Sequence, residues 1–189
     1  YNYKDYNLKL NREPSEKEIF DDILKKSQGK NFKEIVYCGI GEPLYRLDDV
    51  ILALTPKLKR FFSKSLRINT NGQAKLLFPG RDIPKELVDV GVDKVSISLN
   101  AEEFWLYNVI CRPKYIRGVM DDSVYSNLCR FIEECADKSG LEVEVSVLKF
   151  PDRILPKEIP APDLKKCEKI AKDFGIKFRV REYCGPKIE

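Results

Sequence analysis

Residues 33–43 read Lys-Glu-Ile-Val-Tyr-Cys-Gly-Ile-Gly-Glu-Pro, and the fold turns on them. Lys33–Cys38 is a short β-branched run that reads as a buried strand. It breaks at two glycines, an acid and a proline. Upstream, Pro14 precedes a capping box of Ser15 and Glu18. Ile19, Phe20, Ile23 and Leu24 follow on one helical face, and Gly29 stops the segment. Downstream, Val50, Ile51, Leu54, Leu58 and Phe61 recur at helical spacing over 47–62, with Pro56 predicted to kink or split that helix.

The pattern then repeats. Ser65–Asn69 reads as a strand, Pro84–Val90 as a helix stopped by Gly91, and Asp93–Leu99 as the next strand. Helices are expected over Ala101–Ile110 and 120–138, with Val124, Leu128, Phe131, Ile132 and Cys135 inward. Leu141–Leu148 alternates as a strand. Pro151, Pro156, Pro160 and Pro162 make a loop, Asp163–Phe174 a helix with Leu164, Cys167, Ile170 and Ala171 inward, and Lys177–Tyr183 a last strand. Strand and helix alternating in this way predict βα units, five parallel strands and an α/β fold. A helix that opens such a series usually follows a strand. With Tyr1 in place of a Met, the expectation is that a first strand lies upstream.

The 189 residues suit one domain, residues 1–189, able to bury roughly 70% of the unfolded surface. Thirty-four basic and 30 acidic residues, a net charge of +4, are interspersed. No nucleic-acid stripe is visible, so no nucleic-acid partner is expected. No apolar run approaches the roughly 18 residues of a membrane span. The charged first thirty residues lack a secretory pattern, so no membrane role and a cytoplasmic location are expected. His is absent, which excludes Ser-His-Asp and Cys-His catalysis and any His metal site. The six cysteines, Cys38, Cys111, Cys129, Cys135, Cys167 and Cys184, show no metal-ligand spacing. A reducing interior favours free thiols, and neither a disulfide nor a metal held by two of them is expected.

Ligands of parallel sheets bind at the carboxyl ends of the strands. The polar, glycine-bearing segments fall there: Gly39–Pro43, Asn69–Gly72, Ser98–Asn100 and Glu182–Gly185. Gly39 and Gly41 let backbone approach a ligand, Glu42 ties the turn and Pro43 stiffens it. The same segment reads equally as a plain tight turn. Asn69, Thr70 and Asn71 offer two amides and a hydroxyl, although Asn71-Gly72 is also a common turn pair. Ser98 and Asn100, two apart, point the same way and could donate to ligand hydroxyls, with Ser96 deeper on that face. Arg112 could pair two-pronged with a carboxylate or simply stand on the surface.

Taken together, EIVYCGIGEPLYRLDDV, RINTNGQAKLLFPGRDIP and DKVSISLNAEEFWLYNVICRPKY resemble the core of the radical S-adenosylmethionine superfamily, nearest to proteins described as TatD-family-associated. The likeness covers approximately residues 8–184. It implies a partial, open TIM-like (β/α)6 barrel. In that family the first strand leads into a Cys-x3-Cys-x2-Cys loop whose thiolates hold three irons of a [4Fe-4S] cluster, and the amino and carboxylate groups of S-adenosylmethionine chelate the fourth. That motif is absent here, so the resemblance implies that strand and loop lie upstream of Tyr1, with no metal ligand in this segment.

Carried over by position, Gly39, Gly41, Glu42 and Pro43 match the segment whose backbone holds the S-adenosylmethionine amino group. Ser98 and Asn100 match the ribose contacts, and Arg112 the carboxylate partner. Asn69, Thr70 and Asn71 line the same cavity, and the Val180–Tyr183 backbone resembles the adenine-side contact. The implied activity is reductive cleavage of S-adenosylmethionine to a 5′-deoxyadenosyl radical, with the substrate unknown. Two other readings stay open: a cluster-free binding module, associated with a TatD-like metal-dependent hydrolase, and an unrelated α/β enzyme using Glu42 as acid or base.

Overall fold

From residue 16 onward helices and parallel strands succeed one another in the computed structural model, which describes residues 2–3, 6–7, 10–39, 41–113, 122–151 and 154–183. A two-residue antiparallel ribbon comes first, β1 (Asn2–Tyr3) with β2 (Tyr6–Asn7). Then follow α1 (Glu16–Ser27), β3 (Glu34–Tyr37), α2 (Ala53–Phe62), β4 (Ser65–Thr70), α3 (Ala74–Leu77), α4 (Ile83–Val90) and β5 (Lys94–Ser98). The order closes with α5 (Phe104–Cys111), α6 (Ser123–Ala136), β6 (Glu142–Lys149), α7 (Leu164–Asp173) and β7 (Lys177–Glu182). The sheet runs β3-β4-β5-β6-β7, with every pairing parallel. Strands in chain order with helices on one face build a segment of a barrel, whereas a doubly wound sheet reverses its order at a switch point. The molecule is thus an α/β fold with the layout of a partial, open TIM-like barrel.

Alternation along each strand divides the sheet into two unlike faces. Leu66 and Ile68 of β4, Val95 and Ile97 of β5, and Val143, Val145 and Val147 of β6 are buried under the helices. Each such side chain contributes about 1.5–3 kcal/mol on leaving water. Val124, Leu128, Phe131, Ile132 and Cys135 of α6, and Cys167 and Ala171 of α7, complete that core. The opposite face carries Arg67 and Asn69, Lys94, Ser96 and Ser98, Glu142, Glu144 and Ser146, then Lys177, Arg179 and Arg181, matched by register. Arg67 grips Glu34 with two hydrogen bonds at 3.2 and 2.8 Å, and Ser96 donates to Glu144 at 2.9 Å. Among the described residues no helix is long and apolar enough to cross a membrane.

Helix ends follow local chemistry. The Ser15–Glu18 capping box forms, with the Ser15 amide donating to Glu18 at 2.8 Å and the Glu18 amide donating to the Ser15 hydroxyl at 3.3 Å. Gly91 ends α4 at φ +97°, its amide bonded back to α4 carbonyls.

Several expectations need correction. The helix predicted over 47–62 is regular only from Ala53; Pro43–Arg46 is a 3-10 turn and Leu47–Leu52 a π-type stretch. Pro56 lies inside α2, and the interruption expected of it shows as the change from π-type to α winding at Leu52–Ala53, just upstream. Phe61 is 62% exposed, and Phe62 packs inward instead. Phe61 keeps an edge-on contact with Phe20 at 6.1 Å. The helix expected from Ala101 starts at Phe104; Ala101 is buried before it. Ile40, Cys184 and Gly185, and the first two positions of the helix expected over 120–138, lie outside the described residues. Cys38, Cys111, Cys129, Cys135 and Cys167 are free thiols.

Candidate functional site

The end of β3 and the end of β4 are joined by one side chain. Glu42 opens the 3-10 turn, and its Oε1 accepts from the Thr70 hydroxyl at 2.7 Å and the Leu44 amide at 3.1 Å. Its Oε2 accepts from the Asn71 amide at 2.6 Å. Burial pushes the carboxyl above its ordinary value, and the three donors hold it down against that push. The Thr70 hydroxyl in turn accepts from the Gly72 amide at 3.0 Å, and Asn71 Oδ1 accepts from the Gln73 amide at 2.9 Å. Glu42 therefore works as a bracket that fixes two strand-end loops.

Above this bracket lies a cavity of about 630 Å³. Gly39, Gly41, Glu42, Asn69, Thr70, Asn71, Ser98, Asn100 and Arg112, all expected from sequence, line it together. Pro43 does not; it faces an adjoining, more apolar groove beside α1 because it begins the 3-10 turn. Gln73, Tyr107, Cys38, Cys111 and Arg181 also line the cavity. Sequence reasoning missed the first four and took Arg181 only as part of the Val180–Tyr183 backbone, not for its side chain. A signal existed for Cys38 and Arg181, which stand at strand ends on the polar face; Gln73 and Tyr107 come from helical neighbourhoods and had none.

Two of these residues hold unusual backbone. Asn100 has φ +60° and Arg112, capping α5, has φ +44°. Asn tolerates that region better than most residues. The Asn100 amide nitrogen donates to Cys111 Sγ at 3.5 Å, and burial pushes the Cys111 thiol up to about 11. The Gln73 amide nitrogen donates to Tyr107 Oη at 3.1 Å and to the Val124 carbonyl at 3.2 Å. What remains is unusual for a folded interior. Asn69 Oδ1, Gln73 Oε1 and Asn100 Oδ1 are buried and have no hydrogen-bond partner among the described residues. An unsatisfied buried acceptor costs about 1–3 kcal/mol, so three around one cavity point to a ligand that brings donors.

Among the described residues no three Cys, Asp or Glu side chains gather as a metal site. A [4Fe-4S] cluster does not fit on them, and no step through one is assigned to them.

No family model matches the chain. Over 143 residues, 70% of the chain, it is 31% identical to the dual-specificity RNA methyltransferase RlmN of Buchnera aphidicola subsp. Acyrthosiphon pisum. The chain spans about a third of that protein, 34%. A radical SAM methyltransferase from Sphaerobacter thermophilus superposes with a TM-score of 0.46 and 15% identity, covering 93% of this chain and 60% of that one. A protein from Bacteroides thetaiotaomicron assigned as an alpha-L-fucosidase gives 0.44 and 15%, covering 88% and 54%. Likeness at that level reaches unrelated chemistries and carries no argument about this one.

Proposed function

We propose that the chain is the S-adenosylmethionine-binding part of a radical SAM enzyme, with the cavity over the strand ends as the cofactor's seat. The carrying observation is the convergence of Asn69 Oδ1, Gln73 Oε1 and Asn100 Oδ1, three buried acceptors in need of donors. S-adenosylmethionine brings an ammonium group and two ribose hydroxyls, and a cavity of about 630 Å³ lies in the usual range for such ligands. The sequence likeness to an RNA methyltransferase supports the reading.

Each side chain then has a role in binding. Backbone at Gly39 and Gly41, open beside the cavity, takes the ammonium group. Asn69, Asn100 and Ser98 take the ribose hydroxyls, and Arg112 takes the carboxylate. Glu42 and Thr70 keep the loops in place, and Tyr107, Leu77 and Val124 line the cavity with apolar surface that excludes water. When bound, S-adenosylmethionine supplies a carbon–sulfur bond that breaks on one-electron reduction. Both oxygens of Glu42 are occupied within the fold, which weighs against its use as acid or base.

Calorimetry with S-adenosylmethionine tests this. Saturable one-to-one binding is expected, weakened by Asn100→Ala. Absence of binding, or equal affinity in wild type and both Asn100→Ala and Asn69→Ala, overturns the reading.

A further inference from the structure

We propose that Arg181 seats an oxyanion, a phosphate or carboxylate carried by a second ligand that shares the cavity with the cofactor. This rests on the seating of S-adenosylmethionine argued above and adds the chemical class of its companion. Arg181 stands on the polar face of β7 and reaches across β6, where its guanidinium donates to the Ser98 hydroxyl of β5 at 3.2 Å. Its Nε is buried in the cavity wall with no hydrogen-bond partner among the described residues. Burial lowers its pKa, with Arg179 adding to the effect and Glu144 opposing it. The acidic neighbour is already engaged: Glu144 accepts from Ser96 at 2.9 Å and lies 3.7 Å from Arg179.

A half-buried guanidinium with an idle donor, beside a second guanidinium, is costly to keep. An oxyanion removes that cost, and the planar fork is the group best shaped to take one. The carboxylate of S-adenosylmethionine has a partner of its own in the reading above, Arg112. The amino group, which shares one carbon with that carboxylate, is placed there at the end of β3, and β3 and β7 are the two opposite edges of the sheet. The anion therefore belongs to another molecule, seated beside the cofactor's ribose.

The test uses inorganic phosphate at constant ionic strength, followed in NMR in wild type by the side-chain Nε–H resonance of Arg181 and in every variant by the backbone amide resonance of Ser98, its hydrogen-bond neighbour. In wild type the Arg181 resonance should shift and saturate. Arg181→Gln should weaken phosphate binding roughly ten- to a hundredfold, the worth of a charge-assisted pair, while any change in S-adenosylmethionine affinity, passed on through Ser98 and the ribose, should be matched by 5′-methylthioadenosine. No saturable shift in wild type, or equal phosphate affinity in Arg181→Gln, overturns the proposal. So does a tenfold loss of S-adenosylmethionine affinity with 5′-methylthioadenosine unaffected, which would make Arg181 the cofactor's carboxylate partner. If Arg181→Gln does not fold, Arg181→Lys keeps the charge and loses the fork; phosphate should weaken several-fold, and unchanged affinity overturns the proposal. Failure of S-adenosylmethionine to bind wild type removes the cofactor reading alone, since the phosphate arm is judged separately.

Discussion

The Thr70 hydroxyl lies 2.7 Å from the Glu42 carboxylate, and this contact ties the loop after β3 to the loop after β4. Thr70 is 3% exposed and simultaneously accepts from the Gly72 amide, so one hydroxyl serves two partners across 28 residues of chain. Thr70→Val keeps the shape and removes both bonds, leaving an amide and a carboxylate oxygen short of a partner. The expected cost is about 1–3 kcal/mol in urea denaturation, with Thr70→Ser recovering most of it.

Glu42 makes stability depend on pH in a definite direction. Its carboxyl is raised above the ordinary 4.5, chiefly by burial, so the native state takes up the proton before the unfolded chain does. That favours folding below about pH 4.5, and the advantage is lost as pH rises from there through the native value. Measured denaturation midpoints should carry this falling contribution over that window, and Glu42→Gln should remove it. Glu42→Gln should also be less stable throughout, because its amide would put a donor against an N–H that now finds a carboxylate oxygen.

Gly72 and Gly80 separate backbone strain from crowding. Both have left-handed backbone, φ +77° and +84°. A Cβ at Gly72 would press into Leu128 Cδ1 and stand 2.9 Å from Ile97 Cγ2, whereas at Gly80 nothing lies within 4 Å. Gly80→Ala should cost about 1–2 kcal/mol for the backbone alone. Gly72→Ala should add about 1–3 kcal/mol of overpacking, and thermal denaturation of the two variants reads the difference.

Arg112→Ala should weaken S-adenosylmethionine binding roughly ten- to a hundredfold by calorimetry, as loss of a charge-assisted pair requires. An unchanged affinity in Arg112→Ala, with Asn100→Ala inactive in binding, would reassign the carboxylate contact and leave the cavity in place.

Thiol chemistry should distinguish the two cysteines of the cavity. Cys38 is exposed at its rim, whereas burial pushes the Cys111 thiol up to about 11. Iodoacetamide near pH 8 should modify Cys38 well before Cys111, as read by peptide mass spectrometry. S-adenosylmethionine should slow the Cys38 reaction.

Much of the architecture was legible because burial leaves periodic traces. The inward set of α6 was readable from spacing alone, and Val95 and Ile97 of β5 alternate with Lys94, Ser96 and Ser98 as a half-buried strand must. What spacing does not carry is the detail of a turn or a reach across the sheet. Phe61 and Phe62 fit the helical stripe almost equally, and it is Phe62 that packs against the cluster of Val50, Leu54, Leu58 and Leu66 and onto the Phe32 ring. The π-type stretch before Ala53 depends on how the chain leaves the Glu42 bracket, a contact with β4 that no local window contains. The strand-end polar residues were found because topology puts them in one place. Arg181 was placed there only as backbone, because the approach of its side chain to Ser98 is set by the registers of two strand pairs.

Those registers also protect the cavity. On β5 the letters that hold the molecule shut and the letters that meet its visitors are interleaved one by one. Sliding β5 by a single residue against β4 would turn Val95 and Ile97 into the water and drive Lys94, Ser96 and Ser98 beneath the helices. A misregistered molecule would lose its oil and its grip in the same step, so any chain that survives folding presents its binding groups correctly aligned. Accuracy at the mouth of the cavity is thereby inherited from the insolubility of the side opposite.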